Sequence, residues 1–340
     1  MKEMKMKNNQ DALRQFIEDM LVSHTAFCQI KKNLELYYHG SAALRDSIGL
    51  FIAGESRTGK SRLLEEFAAK YLPYRTNQGR VVPILRVEVP SKPTVKGLTS
   101  EMLAAYLDPS PEKGTEQDKT RRLLALIRGC QTKMIIIDEI QHFVDKSEKY
   151  RIIHHLTDWL KTLLNKSNII VVIAGLPYAE ALLSQNEQLR GRFLRTMYLP
   201  RFEWKDDILR SEFLGLLDGF AELLRLKFTL PEIESEEMAY RFYLATGGLT
   251  GYVFNILRQA AWNVIDESRT NIMIEDIDVA YQNVVNQIDQ HSTSPFSRKF
   301  NLTDESAFKK ASNIGKRSDG YELAGMEQRY KPKSTREALA

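Results

Sequence analysis

At 340 residues, with 43% apolar and 27% charged side chains and a formal net charge of +4, the chain has the composition of a folded protein of two domains. No apolar run reaches the roughly 18 residues of a bilayer span. No apolar stretch follows the charged start MKEMKMKNNQ, and Cys28 and Cys130 have neither metal nor disulfide-framework spacing, so a reducing cytosol is expected and membrane, secreted and zinc-stapled classes are not. The excess charge lies in the last fifty residues, with 10 Lys+Arg against 6 Asp+Glu; the remainder holds 38 of each sign. A globally basic nucleic-acid binder is thereby excluded, and any DNA contact needs a local basic stripe or the tail.

Residues 11–45 read as helical, with Leu13, Phe16, Ile17, Met20 and Leu21 at helical spacing. IGLFIAG is a short apolar run ended by glycine, which predicts a buried strand. SRLLEEFAAKYL then places Leu63, Leu64, Phe67 and Ala68 on one helical face. Val81–Pro90 predicts a second strand, TVKGLTSEMLAAYLD and DKTRRLLALIRGC predict helices, and KMIIIDEIQHF supplies a third strand that stops at two carboxylates. A helix over YRIIHHLTDWLKTLLNKS, a fourth strand in NIIVVIAGLP, a helix over YAEALLSQNEQLRGRF and a shorter fifth strand in LRTMYLPRF follow. Strands alternating with helices indicate an α/β fold with a parallel five-stranded sheet flanked by helices.

From Trp204 to Gln290 only helical patterns remain, and residues 291–340 turn polar and basic, which predicts a disordered tail. The expected organisation is an N-terminal helical segment 1–45, an α/β nucleotide-binding domain 46–203, a small all-helical lid domain 204–290 and the tail 291–340.

Between the first strand and its helix, Gly54-Glu55-Ser56-Arg57-Thr58-Gly59-Lys60-Ser61 fits G-x-x-x-x-G-K-[ST] at every fixed position. The glycines let consecutive backbone N–H groups face a phosphate, and the helix that follows adds favourable potential. Residues 54–61 together with Arg62 are therefore the expected nucleotide-binding set; Lys60 would bridge the β- and γ-phosphates, and the Ser61 hydroxyl would bind Mg2+. Asp138-Glu139 closes a buried strand, which puts both carboxylates at the ligand edge of such a sheet. Asp138 is expected to hold Mg2+ in its outer shell, and Glu139 to orient and polarise an attacking water. Before the fifth strand stand Arg190, Arg192 and Arg195; Arg190 and Arg192 suit an arginine presented to a neighbouring subunit's γ-phosphate. His142, His154 and His155 lack a partner cluster, and Trp159, Trp204 and Trp262 are expected to pack cores.

The phosphate loop, IIIDEIQHF, the fourth strand, QLRGRF and the helical lid together resemble the AAA+ ATPases. Within them, FIAGESRTGKSRLLEEF, MIIIDEIQHF and VIAGLPYAEALLSQNEQLRGRF resemble the TniB/TnsC group of transposition regulators, over roughly residues 30–285. The resemblance implies a bacterial, ATP- and Mg2+-dependent ATPase that forms homo-oligomeric rings or filaments on duplex DNA without strong sequence preference. It implies partners too: a TniQ- or TnsD-like target selector and TnsA/TnsB-like transposase subunits, with CRISPR-associated transposons among the settings. Relatives grip the duplex backbone with basic loops, which marks Lys92, Lys96, Lys119, Arg121, Arg122, Lys146, Lys149 and Arg151 as candidate DNA contacts.

Two departures from the AAA+ pattern stand out. The fourth strand ends in Ala174-Gly175 where many relatives carry a polar sensor residue. Gly251 and Tyr252, with Arg258 further along, occupy the start of the late lid helix where many carry an arginine. Both imply slow hydrolysis, as a persistent assembly would need. A replication initiator or loader, expected to carry a winged helix that this sequence pattern lacks after the lid, and a nucleotide-gated protein scaffold are the alternative readings.

Overall fold

The structure, a computed structural model, describes residues 2–41, 46–145, 150–184, 186–285 and 293–315. By contacts the chain forms two compact units. One is an α/β unit of residues 29–56 and 60–199; the other is a helical unit of the described residues up to Cys28, Arg57–Gly59 and Pro200 onward.

In chain order the elements are α1 (Lys2–Asp19), α2 (Thr25–Gly40), β1 (Ile48–Ala53), α3 (Lys60–Ala69), β2 (Tyr74–Thr76), β3 (Gly79–Val81), β4 (Ile84–Glu88), α4 (Val95–Ala105) and α5 (Glu116–Gly129). There follow β5 (Met134–Asp138), α6 (His142–Asp145), α7 (Tyr150–Ser167), β6 (Ile170–Gly175), α8 (Ala181–Ser184), α9 (Glu187–Arg190) and β7 (Phe193–Tyr198). The helical unit adds α10 (Asp207–Arg225), α11 (Glu236–Thr246), α12 (Thr250–Asp266), α13 (Ile274–Val284) and α14 (Glu305–Asn313).

The five-stranded sheet has the order β4-β5-β6-β1-β7, parallel throughout. Its three inner strands are buried at every residue, as a sheet covered on both faces requires. On one face Phe51, Ile135, Ile137, Val171 and Ile173 join Leu98 and Met102 of α4, Leu123 and Ile127 of α5, and Leu156 and Leu160 of α7 in a single core. The alternate residues Leu50, Ile52, Ile136 and Val172 are fully buried too. Each such side chain contributes about 1.5–3 kcal/mol of transfer free energy. The Thr115–Asp118 capping box starts α5, and Thr94 Oγ1 accepts from Gly97 N at 2.9 Å to start α4.

The second expected strand is shorter than the run Val81–Pro90, because Pro83 has no N–H to give the ladder; β4 begins only at Ile84. Tyr74–Val81 instead forms the β2–β3 hairpin, which the sequence reading did not assign. The segment after β6, read as one helix, is a 3-10 turn at Pro177–Glu180 and two single-turn helices, α8 and α9.

The helical unit builds its own core from Phe213, Leu217 and Leu224 of α10, Phe242 of α11, Val253, Leu257 and Val264 of α12, and Tyr281 of α13. Ile17 and Met20 belong to that core, so the segment expected as one N-terminal unit divides, with α1 in the helical unit and α2 cut after Cys28. The expectation of a disordered tail from residue 291 is corrected over residues 293–315. Phe296, Ala307, Ala311 and Ile314 are buried in the same core, and Arg201 Nη2 donates to Ile314 O at 2.9 Å. The rest of that stretch lies outside the described residues. Among the described residues no helix is long and apolar enough to cross a membrane.

Candidate nucleotide site

In a parallel sheet all strands end on one edge, and here that edge collects the chemistry. Glu88 pairs with Asp138, Ile137 with Ile173 and Ala53 with Gly175, so Gly54 and the acidic pair leave the sheet on the same side. One strand, β6, separates β1 from β5, a lateral distance of about 10 Å, which leaves a crevice rather than a direct contact.

Gly54 N donates to Gly175 O at 3.2 Å, which turns the chain out of the sheet. The loop passes through Arg57 at φ +65° and Gly59 at φ +96° into the first turn of α3. Thr58 and Lys60 are buried, whereas Ser56, Arg57 and Ser61 are exposed. Lys60 Nζ donates to Gly54 O at 2.7 Å and to Glu55 O at 2.8 Å, closing the loop on itself. Burial lowers the Lys60 pKa from its ordinary value, against the opposing pull of Glu139, Asp138 and Glu55. Arg62 points along α3, 3.4 Å from Glu66 and 3.8 Å from Glu65.

Asp138 is 1% exposed; its Oδ1 accepts from Glu139 N at 2.9 Å, and Arg86 Nη2 stands 3.6 Å from its Oδ2. Among the described residues Arg86 Nε is buried without a hydrogen-bond partner. Glu139 adopts φ +60°, a left-handed conformation that L residues enter at a cost of about 1–2 kcal/mol. Its carboxylate accepts from Gln141 Nε2 and lies 3.9 Å from His142 Nε2.

The donor set fits a nucleotide and its cation. A buried ammonium whose hydrogen bonds, among the described residues, go to two carbonyls, at the start of a ten-residue helix, is matched to an anion. Asp138 and Ser61 are hard oxygen ligands of the kind Mg2+ shares with phosphate and water. Among the described residues no cluster of three His, Cys, Asp or Glu side chains is placed to hold a metal ion.

Arg190 and Arg192 lie elsewhere. Arg192 O accepts from Gly49 N at 2.8 Å and Phe193 pairs with Gly49, at the start of β1. Four residues, about 13 Å of strand, separate that level from the loop at the other edge. Arg258, two turns into α12, is 3.5 Å from Glu18 and stacks 5.3 Å over Trp262, so it is engaged within the helical unit.

The expected DNA contacts divide. Lys92 and Lys96 are exposed, after β4 on the ligand edge. Arg121 is exposed and 2.7 Å from Asp118; Arg122 donates to Ser110 O and Lys113 O. Lys119 is a correction. It is fully buried, donates to Ser100 Oγ and lies 3.3 Å from Glu112, so no DNA phosphate can reach it. Lys146 and Lys149 lie outside the described residues, and Arg151 is placed only by its backbone in the first turn of α7. His155 Nε2 is 2.8 Å from Glu116 Oε1; Trp159 Nε1 donates to Thr120, and Trp204 and Trp262 pack against the helical core.

Gln141 and Arg86 were not singled out from the sequence. A lone arginine in the strand ILRVE, two residues before the partner of Asp138, was the available signal for Arg86.

The family model described as bacterial TniB protein matches residues 13–204, more than half of the chain. No curated protein sequence matches it. Among solved structures, Cdc6p from Pyrobaculum aerophilum is similar at a TM-score of 0.58 and 14% identity, covering 80% of this chain and 71% of that one. The Aeropyrum pernix ORC2 protein in its ADPNP-ADP complexes follows at 0.56 and 14%, covering 78% and 68%. The Aeropyrum pernix ORC1 protein in complex with DNA is similar at 0.56 and 13%, covering 80% and 69%. At these identities the likeness establishes the fold alone, a parallel five-stranded α/β sheet followed by helices.

Proposed function

The chain belongs to the bacterial TniB family of AAA+ ATPases, and from that premise we propose that it is an ATP-dependent switch of DNA transposition. In this reading ATP drives assembly of copies on duplex DNA as a ring or filament. The assembly connects a TniQ- or TnsD-like selector to TnsA/TnsB-like transposase subunits, and hydrolysis dismantles it. The observation that carries the reading is the phosphate loop with its buried Lys60 on the same sheet edge as Asp138 and Glu139.

Bound ATP with Mg2+ supplies the transferable γ-phosphoryl group and its charge neutralisation. Lys60, freed from the Gly54 and Glu55 carbonyls, binds phosphate oxygens, while Ser61 and Asp138 orient the cation. Glu139 holds the attacking water and accepts its proton. Arg190 or Arg192 acts on a neighbouring copy, since Arg192 lies at the sheet edge away from its own loop and Arg190 precedes it by two residues. Lys92 and Lys96 meet DNA phosphates, and Arg121, Lys146, Lys149 and Arg151 are the further candidates. The DNA-bound ORC1 relative lends the DNA part support by fold analogy alone.

Duplex-DNA binding, titrated with ATP, with ADP and without nucleotide, tests the reading. Binding that needs ATP, falls steeply with salt and is lost in Lys60→Ala supports it. Equal binding without nucleotide contradicts the switch. DNA-indifferent ATPase rate and oligomeric state would favour a protein scaffold instead.

A further inference from the structure

We propose that Gln141 is a positioning residue for Glu139, tying its carboxylate to the end of β6. The inference rests on the ATPase reading of the site and assigns it one more working part.

Gln141 is 4% exposed, in the turn between β5 and α6. Its Oε1 accepts the backbone N–H of Leu176 at 3.2 Å, immediately after β6, and its Nε2 donates to the Glu139 carboxylate. Both contacts fix the same orientation of the amide. A backbone N–H can only donate and a carboxylate can only accept, so the oxygen must face Leu176 and the nitrogen must face Glu139. One buried side chain thus ties the carboxylate to the end of the strand that runs between β1 and β5.

Gly175 makes the room. A Cβ there would stand 2.8 Å from Gln141 Oε1 and 2.8 Å from Ile140 Cγ2, closer than atoms of a real side chain come. The glycine that removes a polar group from the strand end is therefore the residue that lets Gln141 lie across it. Glu139 itself stands in the left-handed region, and in its own turn the Gln141 amide donates to its carboxylate while His142 Nε2 lies at 3.9 Å, beyond hydrogen-bond reach. A base held about 1 Å out of place loses on the order of a hundredfold in rate, so a strut matters to turnover and not to nucleotide affinity.

Two isosteric variants test this, each assayed as full-length protein for nucleotide affinity and for steady-state ATPase, with and without duplex DNA. Gln141→Met keeps the volume and loses both hydrogen bonds. Gln141→Glu keeps the acceptor for Leu176 N–H and replaces the donor by a like charge. Both are expected to keep nucleotide affinity and KM within about twofold while kcat falls about tenfold or more. The retained affinity also reports that the site is folded.

A Gln141→Glu enzyme with wild-type kcat would overturn the inference, since only the anchor to Leu176 would then matter. So would KM and kcat changing together in both variants, which marks a merely structural role. Glu139→Gln is the control: unchanged turnover there, or no nucleotide binding by the wild type, overturns the reading of the site itself. Loss of turnover in Glu139→Gln beside unaltered Gln141 variants overturns only the role of Gln141.

Discussion

The backbone N–H of Gly251 donates to the carbonyl of Arg57 at 2.7 Å, so the start of α12 holds a residue of the phosphate loop. Gly251 is in the first turn of a helix with no side-chain cap, where backbone N–H groups have no partner within the helix. The Arg57 guanidinium lies 4.7 Å over the ring of Tyr252, and Arg57 itself is in the left-handed region. In place of an arginine at this point, the helix supplies a backbone donor. A Cβ at Gly251 would come within 2.9 Å of Arg57 O and 3.0 Å of its Cβ. Gly251→Ala should therefore push the loop out of shape at a cost of about 1–3 kcal/mol, seen as a fall of roughly tenfold or more in ATP affinity by fluorescent-nucleotide titration. Unchanged affinity would mean that the loop keeps its shape without this bond.

Arg192 lies beside Gly49 at the start of β1, the sheet edge away from its own loop, and Arg190 precedes it by two residues at the end of α9. Arg190→Ala/Arg192→Ala protein should bind ATP normally yet hydrolyse it at least a hundredfold more slowly, on the scale of about 10³–10⁵ known for arginines supplied by a neighbour. Mixing it with Lys60→Ala protein should restore part of the rate, because one copy then offers the arginines and the other the loop. Two inactive proteins that stay inactive when mixed would remove both arginines from this role.

The basic residues make opposite predictions. Lys92→Glu/Lys96→Glu should weaken duplex binding about tenfold or more and flatten its salt dependence, read by fluorescence anisotropy between 50 and about 200 mM salt. Lys119→Met should leave DNA binding unaltered. Its fully buried ammonium is exchanged for an apolar side chain of similar length, so the thermal midpoint should hold or rise. Weakened DNA binding at normal stability would return Lys119 to the interface.

His24 carries a pH dependence. Its ring is buried and lies 5.0 Å from that of Phe202, and burial lowers its pKa below the ordinary 6.5, with Glu212 pulling the other way. As pH falls below 6.5 the unfolded chain takes up the proton first, so stability present above 6.5 is lost as pH falls toward the lowered value. Thermal unfolding followed from pH 8 to about 5.5 should show that loss, and His24→Phe should reduce it. An identical pH slope in the variant would assign the loss to other groups.

What could be read in advance follows from how side chains report burial. MIIID and IVVIAG are strands whose every residue is buried, so an apolar run alone gave them away, and the loop between β1 and α3 was legible because G-K-S has few other uses. The β2–β3 hairpin was hidden because Tyr74, Arg75 and Thr76 are all exposed and leave no alternation. α14 was hidden because it packs through Ala307 and Ala311, small side chains that draw no apolar stripe. Lys119 was misread by residue type, although its register with Leu123 and Ile127 places all three on the buried face of α5. Gln141 and Gly175 are 34 residues apart, and only the pairing of strands brings one amide across one missing Cβ.

If nucleotide governs assembly on DNA, copies of the chain gather on a duplex when an ATP-like ligand is bound and not otherwise. Electron microscopy of the protein with long duplex DNA and a non-hydrolysable ATP analogue tests it most directly, beside samples lacking either component. Rings or filaments along the duplex that require the analogue, and that vanish in Lys60→Ala, are the predicted result. Isolated monomers at saturating protein, nucleotide and DNA would contradict it.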